Sequence, residues 1–101
     1  MESSLPVALP PTLSAFEAEA RARGYDLVLE RVWEPDTVID THTHDFAVWA
    51  IVRSGALALT VDGHTRHLRA GDSFTLEPRV PHAEAYGPQG AVFWAARRHV
   101  S

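Results

Sequence analysis

DTVIDTHTHDFAVWAIVRSG, residues 36–55, is the stretch whose reading decides the fold. It holds two β-prone runs, 38–44 and 46–52, rich in Val, Ile, Thr, Phe and Trp and closed by Ser54-Gly55. Residues two apart on a strand share a face. Asp40, His42, His44, Phe46, Val48 and Ala50 therefore fall on one side, and Ala47, Trp49 and Ile51 on the other. Two imidazoles on one pleated face are held at a separation that suits chelation of one ion. The alternative is a pair of solvated histidines on an outer strand.

The same texture extends both ways. Residues 27–33 read as a strand ended by Glu34-Pro35-Asp36. Residues 57–61 run into Asp62-Gly63, the strongest short hairpin signal in the chain, and 64–68 return. Ala70-Gly71-Asp72 turns into 73–76, and Gly87-Pro88-Gln89-Gly90 separates strands at 83–86 and 91–96. Many short strands at this spacing argue a sandwich or a barrel, and closure removes exposed edges. Upstream, residues 12–23 read as one helix. Ser14 and Glu17 form a capping box, Gly24 marks the end, and Leu13, Phe16 and Ala20 form an apolar stripe. Residues 1–11 hold three prolines and read as an extended arm. With 101 residues there is room for one core. The expected organisation is one domain over 12–101, with the barrel at 26–98.

A third histidine sharpens the picture. Pro78 and Pro81 bracket a rigid turn, and His82 follows at once. Residues 36–55 resemble the first cupin motif: a turn, five residues, His-x-His, three residues, a carboxylate position, six residues, Gly. Residues 71–82 resemble the second: Gly, five residues, a Pro-x-Gly turn, two residues, His. His42, His44, Gly55, Gly71 and His82 fall in register across both motifs. The resemblance implies an all-β double-stranded β-helix, the jelly-roll barrel. It also implies that His42, His44 and His82 converge on one divalent transition metal inside it: iron, zinc, nickel, manganese or copper.

The departures are specific. Asp36 stands at the first glycine position, and Glu77 and Arg79 replace the Pro and Gly of the second motif. Val48 occupies the glutamate position and cannot ligate. Glu84, two past His82, and Asp40, two before His42, are the candidates for a fourth ligand or for a partner that orients an imidazole. Phe46, Val48 and Tyr86 are expected to line the pocket. His64 and His67 read as exposed hairpin residues and His99 as a frayed tail.

Composition excludes several classes. A net charge of -4 leaves no basic footprint for nucleic acid, and the absence of cysteine excludes thiolate metal sites and thiol nucleophiles. No apolar run reaches membrane-span length. The N-terminus lacks a positive secretory n-region, so the cytoplasm is the expected compartment. The run 46–52 is apolar on both faces, so the helix or a second subunit must cover its outer face; a two-fold homodimer is expected there. Two functions suit a three-imidazole site: a small dioxygenase-like metalloenzyme acting on a small molecule, or a ligand-sensing barrel similar to the sensor domains of arabinose-type regulators.

Overall fold

Two long strands carry the architecture. The computed structural model describes residues 10–99. In order they form α1 (Leu13–Ala22), β1 (Leu27–Trp33), β2 (Val38–His42), β3 (Phe46–Val61), β4 (His64–Arg69), β5 (Ser73–Leu76) and β6 (His82–His99). β3 and β6 pair antiparallel along their length. The first half of β3 pairs β5 and its second half pairs β4; β6 pairs β2 near its start and β1 beyond residue 90. The result is two four-stranded antiparallel layers, β1-β6-β3-β5 and β2-β6-β3-β4, sharing two bent strands. This is the jelly roll, all-β apart from one short helix.

The bend corrects the expected strand list. Ser54-Gly55 does not end β3, and residues 87–90 do not divide β6. The pairing instead jumps from Gly55↔Ala91 to Leu57↔Tyr86. Backbones cross there at contact distance. A Cβ on Gly55 would lie 2.1 Å from the Gly90 carbonyl oxygen, and one on Gly90 would lie 2.2 Å from that of Trp33. These glycines let the strands fold over from one layer to the other. At the far end of β3, Asp62 and Gly63 both have positive φ, as the tight hairpin turn requires. His64 and His67 sit on that hairpin, exposed. His99 is no frayed tail: it ends β6 opposite Phe46, with Nδ1 3.2 Å from the Asp26 carboxylate.

Strand parity builds the core. Val48, Ala50, Val52, Leu57 and Leu59 of β3 meet Tyr86, Ala91, Phe93 and Ala95 of β6 between the layers. Trp49 and Ile51 face outward, and the chain's own helix covers them. Phe16 and Ala20 pack on Trp49, Ile51, Trp94 and Ala96, with the Phe16 and Trp49 rings 4.7 Å apart. Arg23 lies over Trp49 and Arg53 over Trp94, each at 4.0 Å, sealing the rim. Trp49 is left 5% exposed and Ile51 fully buried. The apolar face that prompted a dimer is thus satisfied within one chain.

The helix is capped two residues earlier than the sequence reading has it. Thr12, not Ser14, is the N-cap, its hydroxyl accepting from the Ala15 N–H at 3.1 Å. Glu17 pairs with Arg21 instead of reaching back. Leu13 lies at the exposed edge, so the buried stripe is Phe16 and Ala20. Gly24, at φ +94°, ends the helix as expected. Its N–H donates to the Arg21 carbonyl and that of Tyr25 to the Ala20 carbonyl, satisfying two of the carbonyls that the helix end leaves open. The arm expected over residues 1–11 lies outside the described residues except for Pro10 and Pro11. No helix among the described residues is long and apolar enough to cross a membrane.

Candidate metal centre

Three local devices bring His42, His44 and His82 together. His42 ends β2 directly opposite His82, the first residue of β6. His44 lies beyond β2, in the irregular link to β3, so the two histidines of the His-x-His run do not share one strand as expected. Its position is held by the second motif. The turn at Glu77–Val80 has Arg79 at φ +64°, and the Arg79 N–H donates to the His44 carbonyl at 2.8 Å. Arg79 and Asp36, the latter at φ +58°, both adopt the left-handed backbone that favours glycine, at the two positions where the motifs carry glycine.

The three imidazoles converge. His82 is 2% exposed, His42 and His44 half-buried, and their ligand atoms lie within 4.8 Å of one another. Each ring has its Nδ1 beside a backbone carbonyl two residues away: His42 on Asp40 at 2.9 Å, His44 on Phe46 at 3.2 Å, His82 on Val80 at 2.9 Å. A carbonyl only accepts, so each Nδ1 carries the hydrogen. In the neutral ring this leaves the Nε2 lone pair free. Burial holds the His44 imidazole below its ordinary pKa, against the pull of its bond to Phe46, and so favours that neutral form.

Glu84 stands beside two of the three histidines. It follows His82 by two residues, inward on β6, with one oxygen 3.5 Å from His82 Nε2 and 3.8 Å from His42 Nε2. Its other oxygen accepts the Tyr86 hydroxyl. Burial first, and that carboxylate second, push the Tyr86 phenol far above its ordinary pKa, so it stays a donor. With Nδ1 carrying the hydrogen of each ring, the Nε2 atoms of His42 and His82 and one Glu84 oxygen can offer lone pairs to a common point, where an ion would be shared among them. Donor chemistry and convergence therefore fit a divalent ion.

Two expected site residues are placed elsewhere. Asp40 is exposed and lines an outer groove with Thr41 and Thr60. The β2–β6 register shifts between Ile39 and His42, which puts Ile39, not Asp40, on the inward side. Asp40 still orients His42, through its carbonyl and not its carboxylate. Tyr86 does not line the cavity: it is buried in the core, stacked on Trp33 at 4.9 Å, with its hydroxyl engaged by Glu84. Phe46 and Val48 do line it, and the Phe46 ring lies flat on His44 at 4.2 Å. The cavity beside the cluster measures about 130 Å³. A groove of about 600 Å³ near Leu57 and His67 is larger but apart from these groups.

Arg31 and Arg97 also line the small cavity, and the sequence reading missed both. Parity held the signal. Arg31 interrupts the inward pair Leu29 and Trp33, and Arg97 extends Ala91, Phe93, Ala95.

In sequence, residues 29–91 match the cupin domain family. In fold, an RmlC-like cupin from Shewanella frigidimarina is similar at 23% identity and TM-score 0.66, over 76% of this chain and 68% of that one. A double-stranded β-helix protein from Klebsiella pneumoniae is similar at 24% and 0.63, over 75% and 69%. A chain from structures of DMSP lyases is similar at 19% and 0.66, over 72% of this chain and 38% of that one. No curated protein matches the chain in sequence. The family match spans most of the barrel and both histidine motifs, and the chain belongs to the cupin domain family.

Proposed function

We propose that this chain is a small cupin metalloenzyme that holds one divalent transition metal on His42, His44 and His82 and acts on a small organic molecule in the adjoining cavity. One observation carries the reading. Three Nδ1-bonded imidazoles aim their remaining nitrogens at one another and, for two of them, at the Glu84 carboxylate. A divalent ion bound there supplies Lewis acidity and open positions for an oxygen ligand.

The chain's own groups do the rest. Glu84, beside His82 and His42, would serve as a fourth donor to the ion in place of the carboxylate absent at Val48, or would exchange a proton with a bound molecule. Tyr86 donates to one Glu84 oxygen and fixes which oxygen faces the site. Trp33 backs Tyr86, and Phe46 supports His44, so both polar groups are held by packed rings. Phe74 and Phe93 close the apolar wall and limit water.

Elemental analysis tests the metal. Protein stripped with chelator and reloaded should hold about one divalent ion per chain. His82→Ala should lose it while keeping a cooperative melt. Absence of a stoichiometric ion from the reloaded native chain rejects the reading. Oxygen uptake or product formation with a panel of small acids and diketones then tests turnover. Binding of such a molecule without turnover would instead identify a non-catalytic ligand-binding barrel.

A further inference from the structure

Two guanidiniums stand in the wall of the small cavity, and holding a metal uses neither. Arg31 lies on the inward side of β1 and Arg97 on the inward side of β6, both half-buried. Arginine on the apolar face of a strand is rare without a partner. Among the described residues, Glu84 is the one carboxylate lining this cavity, and its oxygens face Tyr86 and the histidines. Arg97 lies over the Phe46 ring at 4.4 Å and Arg31 over the Trp33 ring at 4.7 Å. Stacking occupies the flat face of a guanidinium and leaves its in-plane N–H fork for an acceptor. Burial, and then Arg31, lower the Arg97 pKa, the sign of two cations near each other in a half-dry wall. Among the described residues the buried Trp33 indole N–H likewise has no acceptor. All three groups are donors.

We propose that the cavity is built for a small organic acid whose carboxylate is gripped by Arg31 and Arg97 while an oxygen at its other end faces His42, His44 and His82. The far end of this assignment rests on the metal-centre reading; the carboxylate end does not. Size narrows the class. A cavity of roughly 150 Å³ takes benzene, so about 130 Å³ admits a molecule of some six non-hydrogen atoms. Position sets polarity. Arg97 pairs cross-strand with Val48, the position where the first motif carries its carboxylate. Arg97 thus has no acidic neighbour there, and a ligand carboxylate supplies the missing charge.

The test compares pyruvate with pyruvamide, its neutral counterpart of equal size, by calorimetry on the full chain in metal-loaded and metal-stripped forms. Pyruvate should bind the native chain about 10- to 100-fold more tightly, the range for a charge-assisted pair of hydrogen bonds. Arg31→Gln and Arg97→Gln should each cut that preference towards unity with metal content unchanged. Arg97→Lys keeps the charge without the fork and should retain part of it. Arg98→Gln, on the outer face of the same strand, should leave it intact. Equal binding of the two probes by the native chain overturns the proposal without any variant, as does a preference that survives loss of either arginine. If the native chain takes up no metal, the metal reading fails, and the metal-stripped arm still decides the arginine clamp.

Discussion

Replacing Val48 with glutamate puts back the carboxylate that the first motif lacks, and its cost can be worked from the neighbours. Val48 is 8% exposed, inward on β3, opposite Arg97 on β6 and Leu76 on β5. The change gives up most of a buried valine, about 1.5–2 kcal/mol. It also buries a carboxylate, which costs several kcal/mol if unpaired. Arg97 offsets part of this, since side chains opposite each other across strands stand about 4.5–5.5 Å apart at Cβ. The metal-free variant should therefore lose about 2–4 kcal/mol, a fall of roughly 10–20 °C in melting temperature for a chain of this size. Metal reverses the sign of the argument. A further carboxylate ligand that tightens binding tenfold is worth about 1.4 kcal/mol. Saturating divalent ion should thus raise the Tm of Val48→Glu several degrees more than it raises the native Tm. Scanning calorimetry in chelator and in excess metal measures both numbers. Adding Arg97→Gln to the variant should deepen the metal-free loss by about 1–3 kcal/mol, because the new carboxylate then has no partner. If metal raises the variant's Tm no more than the native Tm, Val48 does not face the ion and the placement of the site is wrong.

Tyr86→Phe leaves one Glu84 oxygen without its donor and should cost about 1–2 kcal/mol in urea unfolding; an unchanged stability means the bond does not hold Glu84. Gly90→Ala drives a methyl into the Trp33 carbonyl and should cost more than about 3 kcal/mol or abolish folding, whereas Gly63→Ala, with nothing within 4 Å, should cost only about 1 kcal/mol for its positive φ. Equal losses at the two glycines would refute the crossing at the bend. Trp49→Glu places a charge under α1 and should destabilise the chain by about 3–5 kcal/mol, with near-ultraviolet dichroism of Trp94 altered. A stable variant that merely sediments as a smaller species would show instead that Trp49 lies between subunits.

The barrel was legible because its signals are local. Strand period, Asp62-Gly63 and the glycines at 55, 71 and 90 each report on their own neighbourhood. What was not legible depends on how distant segments cross. Gly55 and Gly90 read as strand ends, and only their mutual contact shows that they are bends in continuous strands. A period of two predicts the inward set His42, His44, Phe46, Val48, and all four line the cavity even though the strand breaks after His42. The same period places Asp40 inward, but the register shift against β6 turns Ile39 inward instead. Coverage of Trp49 and Ile51 by α1 was one of two open outcomes, since a stripe of two buried residues gains its reach from Arg23 and Arg53 lying over the tryptophan rings.

The substitution at Val48 relocates charge as well as removing a ligand. Glu84, His82 and His42 belong to the layer β2-β6-β3-β4, whereas Val48, Arg97 and Arg31 belong to the facing layer. A glutamate at position 48 would sit beside Arg97 and cancel it. With valine there, the carboxylate of the cavity lies on one layer beside the histidines, and two guanidiniums with no carboxylate partner among the described residues lie on the other. The cavity is thus polar across its width, and a bound acid has one favourable orientation. Val48→Glu tests both halves at once with opposite signs: it should strengthen the hold on a divalent ion and weaken the preference for pyruvate over pyruvamide. A variant that gained metal affinity and kept its full preference for the anion would separate Arg97 from the ligand and leave the histidine cluster standing alone.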